Sequence, residues 1–337
     1  MTREFNVALL GANGAVGEAI IEILEERQFP VAKLFPLGSE RSAGNTVTFK
    51  GKNLRIADAA TFDWAQVDLA FFSAGGSVSA QYAPLAAAAG CVVIDNTSQF
   101  RNDADIPLVV PEVNAAAAKD FRQRNIIANP NCSTIQMLVA LKPIYDAVGI
   151  RRINVATYQS VSGAGKSGLL ELVGQTANVM NGQDIGCEKF AKQIAFNVLP
   201  HIDNFQENGY TREEMKMFWE TQKILDDPDI LVNATAVRVP VFYGHSEAIH
   251  IETVRKITAS EAKDLLRVAP GVILMENDDD YPTPVTEAAK HDGVFVGRVR
   301  EDISHPHGLN LWVVSDNIRK GAALNAVQIA ELLLDEL

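Results

Sequence analysis

Cys132 is the residue with the most chemistry to offer. It stands in Asn129-Pro130-Asn131-Cys132-Ser133-Thr134, where Asn-Pro and Asn-Cys-Ser-Thr are turn and cap sequences. Ile135, Leu138, Val139, Leu141 and Ile144 follow at near-helical spacing. Cys132 is therefore expected in the first turn of a helix or just before it. Free backbone N–H groups and the helix dipole favour an anion there, so the thiol should ionise readily and act as a nucleophile. The competing reading is a buried, inert cysteine. Further along lie two candidate partners, Arg238 and His245. Their odd separation would put them on opposite faces of one unbroken strand, but Pro240 and Gly244 make an unbroken strand unfavourable, so convergence stays open. Glu213 and Lys216 lie three apart in a helix announced by the capping box Thr211 to Glu214, and share a face. They are either a site pair or a solvated ion pair.

The elements that must position these groups divide into two sets. Phe5 to Leu10 reads as a buried strand, followed by Gly11-Ala12-Asn13-Gly14-Ala15-Val16-Gly17 and a helix carrying Ala19, Ile20, Ile23 and Leu24. A strand, a glycine turn and a helix N-terminus form a pyrophosphate cradle, here with G-x-x-G-x-x-G spacing; a plain glycine-rich turn is the alternative. A second strand, Leu34 to Leu37, leads into Ser39-Glu40-Arg41-Ser42, where a guanidinium and two hydroxyls suit a ribose 2′-phosphate, provided that Glu40 points outward; a solvated loop is the alternative. Further strands are expected at Val67–Phe72, Cys91–Asp95 and Ile126–Ala128, with a helix from Ser79 to Ala89. Small residues from Ser73 to Ser77, Gly75 among them, let a ligand pass close to backbone. Arg101 is an anion ligand or a surface arginine. Strands alternating with helices over the first 130 residues indicate a doubly wound parallel sheet.

The second set is richer in long strands: Arg152–Ser160, Asn233–Pro240, Glu247–Thr253, Phe295–Arg300 and Leu309–Val314. Helices are expected at Gly168–Met180, from Thr211 to about Leu225, and at Ser260–Val268, and an acidic loop at Asp278–Pro282. This predicts a mixed sheet. Asn317 through Glu336 reads as one terminal helix with Ala323, Val327, Ala330 and Leu334 inward.

At 337 residues the chain exceeds the roughly 250–300 that one hydrophobic core supports, so two domains are expected. A net charge of -12 argues against nucleic acid or an anionic membrane as partner. No stretch approaches a membrane span. Three cysteines with neither disulfide nor metal spacing point to a reducing cytoplasm; His305 and His307 lack further ligands nearby, so no metal is expected.

Taken together, Gly11–Gly17, Asn129–Thr134, Gln159-Ser160-Val161-Ser162-Gly163-Ala164-Gly165, Arg238 through His245, Ser315-Asp316-Asn317 and Lys320–Ala323 resemble the aspartate-semialdehyde dehydrogenase family, in its order and over nearly the whole chain. The resemblance implies a Rossmann-type NADP-binding domain (residues 1–130 and 316–337) and an α+β catalytic and dimerisation domain with a mixed sheet (131–315). It implies Cys132 as nucleophile, Gln159 orienting a thioester and His245 as general acid/base. Arg238 would hold the substrate carboxylate, Glu213 its amino group, and Arg101, Asn131 and Lys216 phosphate. Gly11, Asn13, Gly14, Ala15, Val16, Ser39, Arg41, Ser42, Ser73, Gly75, Ser162, Gly163 and Asn317 would hold NADP. It further implies a homodimer that makes aspartate semialdehyde for lysine, methionine and threonine. N-acetyl-glutamyl-phosphate reductases and glyceraldehyde-3-phosphate dehydrogenases share the plan; Glu213 discriminates, because a free amine wants a carboxylate and an acetylated one does not.

Overall fold

The computed structural model describes residues 3–277 and 279–336, so Asp278 of the acidic loop lies outside the described residues. The chain divides into two units, residues 1–130 with 322–337, and residues 131–321. In the first, the elements are β1 (Phe5–Leu10), α1 (Ala15–Glu26), β2 (Val31–Gly38), β3 (Thr46–Phe49), β4 (Lys52–Arg55), β5 (Ala57–Asp58), β6 (Leu69–Phe72), α2 (Gly76–Ala88), β7 (Val92–Asp95), α3 (Pro111–Asn114) and β8 (Ile126–Ala128). Six strands pair in the order β5-β2-β1-β6-β7-β8, all parallel. β6 (Leu-Ala-Phe-Phe) and β7 (Val-Val-Ile-Asp) are buried along their whole length, as strands covered on both faces must be. The strand order reverses between β1 and β6, and ligands of such sheets bind at the carboxyl ends of the strands there.

The second unit begins with α4 (Cys132–Val148) and continues through β9 (Ile150–Gln159), α5 (Lys166–Met180), α6 (Arg212–Leu225), β10 (Leu231–Arg238), β11 (His245–Thr253), α7 (Ala259–Arg267), β12 (Val272–Leu274), β13 (Val294–Glu301) and β14 (Gly308–Ser315). Its sheet, β10-β9-β11-β14-β13-β12, is mixed: the two outer pairs are parallel and the inner three antiparallel. α4 packs on this sheet and against α6 and α7. Ile135, Met137, Leu138, Val139, Leu141 and Ile144 are buried on it.

Two expectations need correcting at the C-terminus. Residues 316–321 belong with the second unit, not the first. Asn317 hydrogen-bonds there to Ser160 and Ser162, and a side chain on Gly321 would come within 2.8 Å of Cys132 Cβ. Nor is Asn317–Glu336 one helix. A π-turn at Arg319–Ala323 precedes α8 (Leu324–Glu331), and Leu333 and Leu334 then donate to carbonyls three residues back. That tighter winding shifts the inward position from Leu334 to Leu333, which is buried. α8 is tied into the first unit through Asn325, which donates to Val109 O and Asn129 Oδ1.

Candidate active site

Cys132 is the first residue of the 17-residue helix α4. The preceding Asn131 caps that helix: its Oδ1 accepts from the N–H groups of Ser133 (3.0 Å) and Thr134 (3.3 Å). Two carboxylates of α6 then hold Asn131 in place. Glu220 Oε2 accepts from its backbone N–H at 2.6 Å, and Glu213 Oε1 from its Nδ2 at 2.8 Å. The cysteine is thus fixed through its neighbour, and as a residue it is half-buried.

The sheet supplies the remaining groups at one end of β9. Gln159 ends β9 and lies opposite Arg238, the last residue of the parallel β10. On the other flank His245 opens the antiparallel β11, where Ser246 pairs with Tyr158. Arg238 and His245 do converge, on two different strands with β9 between them. Ser160 joins the pair: its carbonyl accepts from Arg238 Nη1 at 2.7 Å, and its N–H donates to His245 Nδ1 at 3.1 Å. Gly163 is needed for this approach, since a Cβ there would lie 3.0 Å from Arg238 Nη1 and 3.4 Å from His245 Nε2. Burial lowers the Arg238 guanidinium, and the nearby Glu213 carboxylate opposes that shift.

Glu213 is the hub. Its Oε1 accepts from both Asn131 and Gln159 (3.1 Å), and its Oε2 from Lys216 Nζ (3.0 Å), which also pairs with Asp203 (2.8 Å). Glu213 is buried and Lys216 largely shielded, so this is not a solvated surface pair. Burial alone would raise the Glu213 carboxyl; the Lys216 ammonium and the two amide donors outweigh it and hold the group at about 2. His245 moves the other way for an imidazole. Burial, then the nearby Arg238 charge, lowers it to about 3, so it is neutral. Because Ser160 N–H donates to Nδ1, the imidazole proton sits on Nε2, pointing into the site.

Asn317 acts behind this group: its Oδ1 accepts from Gly244 N–H (2.9 Å) and Ser160 Oγ (3.0 Å), and it is hydrogen-bonded to Ser162 Oγ. Sequence reasoning gave no role to Ser160, Asp203 or Glu220. Glu220 had a readable signal, lying seven residues after Glu213 on the same helical face; Asp203 had none. Of the other cysteines, Cys91 is buried and its thiol is raised by that burial, while Cys187 is exposed.

In the first unit the glycine turn is built to bring backbone close to a ligand. Gly11 has φ +95°, and a Cβ there would lie 2.9 Å from the carbonyl of Ser73, at the end of β6. A Cβ on Gly17 would strike Gly11 O at 2.2 Å. Gly14 is the N-cap of the 12-residue α1, whose first residues are Ala15 and Val16, and no side chain caps it. Gly75, at φ +102°, likewise opens α2 without a side-chain cap. This arrangement fits a dinucleotide pyrophosphate. Asn13 Nδ2 donates to Ser42 Oγ (3.2 Å), joining the turn to the Ser39–Ser42 loop, where Arg41 and Glu40 are both exposed. Arg101 also lies in this unit, buried, with Nη2 donating to Asn96 O at 3.0 Å.

Comparison with known proteins fits both units. A family model of the semialdehyde dehydrogenase NAD binding domain matches residues 6–121, and one of the semialdehyde dehydrogenase dimerisation domain matches residues 141–320. The aspartate-semialdehyde dehydrogenase of Shewanella violacea is 68% identical over 334 residues, 99% of each chain, and that of Aquifex aeolicus 54% identical over 98% of each. The crystal structure of aspartate semialdehyde dehydrogenase II from Vibrio cholerae, complexed with ASA, superimposes with a TM-score of 0.98 at 63% identity over 99% of each chain. With a Rossmann-type nucleotide domain joined to a mixed-sheet domain, and relatives this close over its full length, the chain belongs to the aspartate-semialdehyde dehydrogenase family.

Proposed function

We propose that this protein reduces L-aspartyl 4-phosphate to L-aspartate 4-semialdehyde, with NADPH as hydride donor and Cys132 as nucleophile. The observation that carries the proposal is the arrangement around Glu213. A buried, ionised carboxylate is tied to the residue before a helix-capped cysteine, with a guanidinium and a neutral imidazole nearby. That is a complement to an α-amino acid whose side-chain carbonyl is attacked: Arg238 for the α-carboxylate, Glu213 for the ammonium, Cys132 for the acyl carbon.

Cys132 thiolate attacks the acyl phosphate carbonyl; the C–O bond to phosphate breaks and a thioester forms. Arg101, Asn131 and Lys216 are the proposed phosphate ligands. Asn131 keeps a second amide hydrogen for this role, since Glu213 takes one. The departing phosphate takes up the proton of the overall balance. Gln159, held by Glu213 and by Thr157 Oγ1 at 3.3 Å, orients the thioester. NADPH, when bound, supplies hydride to the thioester carbon. His245, the proposed acid/base residue, presents Nε2–H as a hydrogen-bond donor to the oxygen that gains charge. Collapse of the hemithioacetal releases the aldehyde and returns the Cys132 thiolate.

For the cofactor we assign Gly11, Asn13, Gly14, Ala15, Val16, Ser73 and Gly75 to the dinucleotide backbone, Ser39, Arg41 and Ser42 to the 2′-phosphate, and Ser162, Gly163 and Asn317 to the nicotinamide end. NADP over NAD rests on Arg41 and its flanking hydroxyls. The protein works as a cytoplasmic homodimer, assembled through the region that matches the dimerisation-domain model, in the biosynthesis of lysine through diaminopimelate, of methionine and of threonine. The test is oxidation of aspartate semialdehyde, assayed with NADP and NAD in parallel. Activity should require phosphate, favour NADP and vanish in Cys132→Ala. Nucleotide binding without such activity would favour a non-catalytic relative.

A further inference from the structure

One buried acid has no part in the reaction outlined above. Glu247 is two residues after His245 on β11, so the two side chains share a face of the strand. It is fully buried and, among the described residues, neither carboxylate oxygen has a hydrogen-bond partner. Burial raises its carboxyl well above the usual range. An ionised carboxylate in such a place is costly; a neutral one is tolerated. The carboxamide of Gln136 lies beside it and opposes that rise. Gln136 lies one helical turn after Cys132 on α4, and its Nε2 donates to the backbone carbonyl of His245 at 3.4 Å. A carboxamide nitrogen carries two hydrogens. One serves the His245 carbonyl and the other is available to the Glu247 carbonyl oxygen.

We infer that Glu247 is a positioning residue: through Gln136 it fixes the start of β11, and with it the His245 imidazole, relative to the helix that carries Cys132. The inference rests on the catalytic roles proposed for Cys132 and His245. It also explains why a carboxyl sits where an apolar side chain would pack at lower cost. A buried polar network kept at a cost to stability is expected where geometry must be held for function.

The experiment compares Glu247→Leu and Glu247→Gln with the parent enzyme, all as the full chain. Glu247→Leu should keep or raise the melting temperature, because it removes an unpaired buried polar group. It should also lower kcat about tenfold or more, with KM for aspartate semialdehyde changing less than about threefold. Glu247→Gln supplies the same carbonyl acceptor without a charge and should restore kcat. Difference infrared spectra of parent against Glu247→Gln should show a protonated-carboxyl band that only the parent has. Parental kcat in Glu247→Leu, parallel loss of stability and kcat, or failure of Glu247→Gln to restore activity would each overturn the inference. If Glu247→Leu does not fold, Gln136→Met breaks the same tie from the helix side and must lower kcat; parental kcat there overturns it. The parent and Cys132→Ala, run alongside, separate this result from failure of the catalytic reading itself.

Discussion

At the turn after β1 the groups brought to the surface of the turn are backbone atoms, and the sequence contributes by leaving side chains out. Gly11 and Gly17 sit where a single Cβ would strike a carbonyl at 2.9 and 2.2 Å. Around Cys132 the opposite holds. Side chains from α4, the end of β9, α6, the end of β10 and the start of β11 meet, and nearly every one is held by another: Asn131 and Gln159 on Glu213, Lys216 between Glu213 and Asp203, His245 on Ser160. A site made of backbone is local in sequence and tolerant of what surrounds it. One made of interlocked buried side chains is dispersed, and losing one member disturbs the rest.

This contrast can be broken experimentally, and the largest effect should come from its hub. Glu213→Gln removes the charge proposed to meet the substrate ammonium and leaves Lys216 with Asp203 alone. We expect kcat/KM to fall about 100-fold or more, and chemical denaturation to show a loss of about 3 kcal/mol. The same variant has a pH signature. Glu213 is lowered in the folded state from 4.5 to about 2. The unfolded chain therefore binds more protons over that window, and stability rises with pH across it. The contribution is fully present above about pH 4.5 and is lost as pH falls through about 2. Glu213→Gln should flatten the acid limb of stability against pH below 4.5; an unchanged limb would mean that the carboxylate is not held as described.

The smaller effect belongs to the backbone-built region. Arg41 is exposed, so Arg41→Ala should leave stability within about 0.5 kcal/mol of the parent. It should weaken NADP about tenfold, roughly one charge-assisted hydrogen bond, while leaving NAD unchanged. Equal losses for both nucleotides in a binding titration would remove the 2′-phosphate assignment. If Arg41→Ala disturbed the catalytic step as strongly as Glu213→Gln, the contrast between the regions would itself fail.

The same difference governs how far the sequence could be read. The strand, glycine turn and helix from Phe5 to Glu26 are one contiguous stretch whose periodicity changes at the glycines, and the observed elements follow it. The Thr211–Glu214 capping box is equally local and is present as such. The cap of α4 was readable for the same reason. Arg238 and His245 could not be placed relative to each other by spacing, because their meeting depends on β9 lying between their strands, a matter of sheet order. The Glu213–Lys216 spacing was plain, but not its burial, which Asn131, Gln159 and Asp203 create from elsewhere in the chain. At the terminal helix, apolar periodicity does not register a π-turn at Arg319–Ala323 or the tighter turns after Glu331. Glu247 gave no local signal: in sequence it is one more acid in an alternating strand, and only its burial beside Gln136 sets it apart.

The central claim, that Cys132 carries the acyl group, has a direct measurement. Enzyme mixed with aspartate semialdehyde and NADP in the absence of phosphate, quenched in acid and digested, should yield a peptide containing Cys132 heavier by one aspartyl group. The adduct should disappear when phosphate is added before the quench. An adduct on Cys187 or Cys91, or turnover with no adduct on any cysteine, would contradict the account.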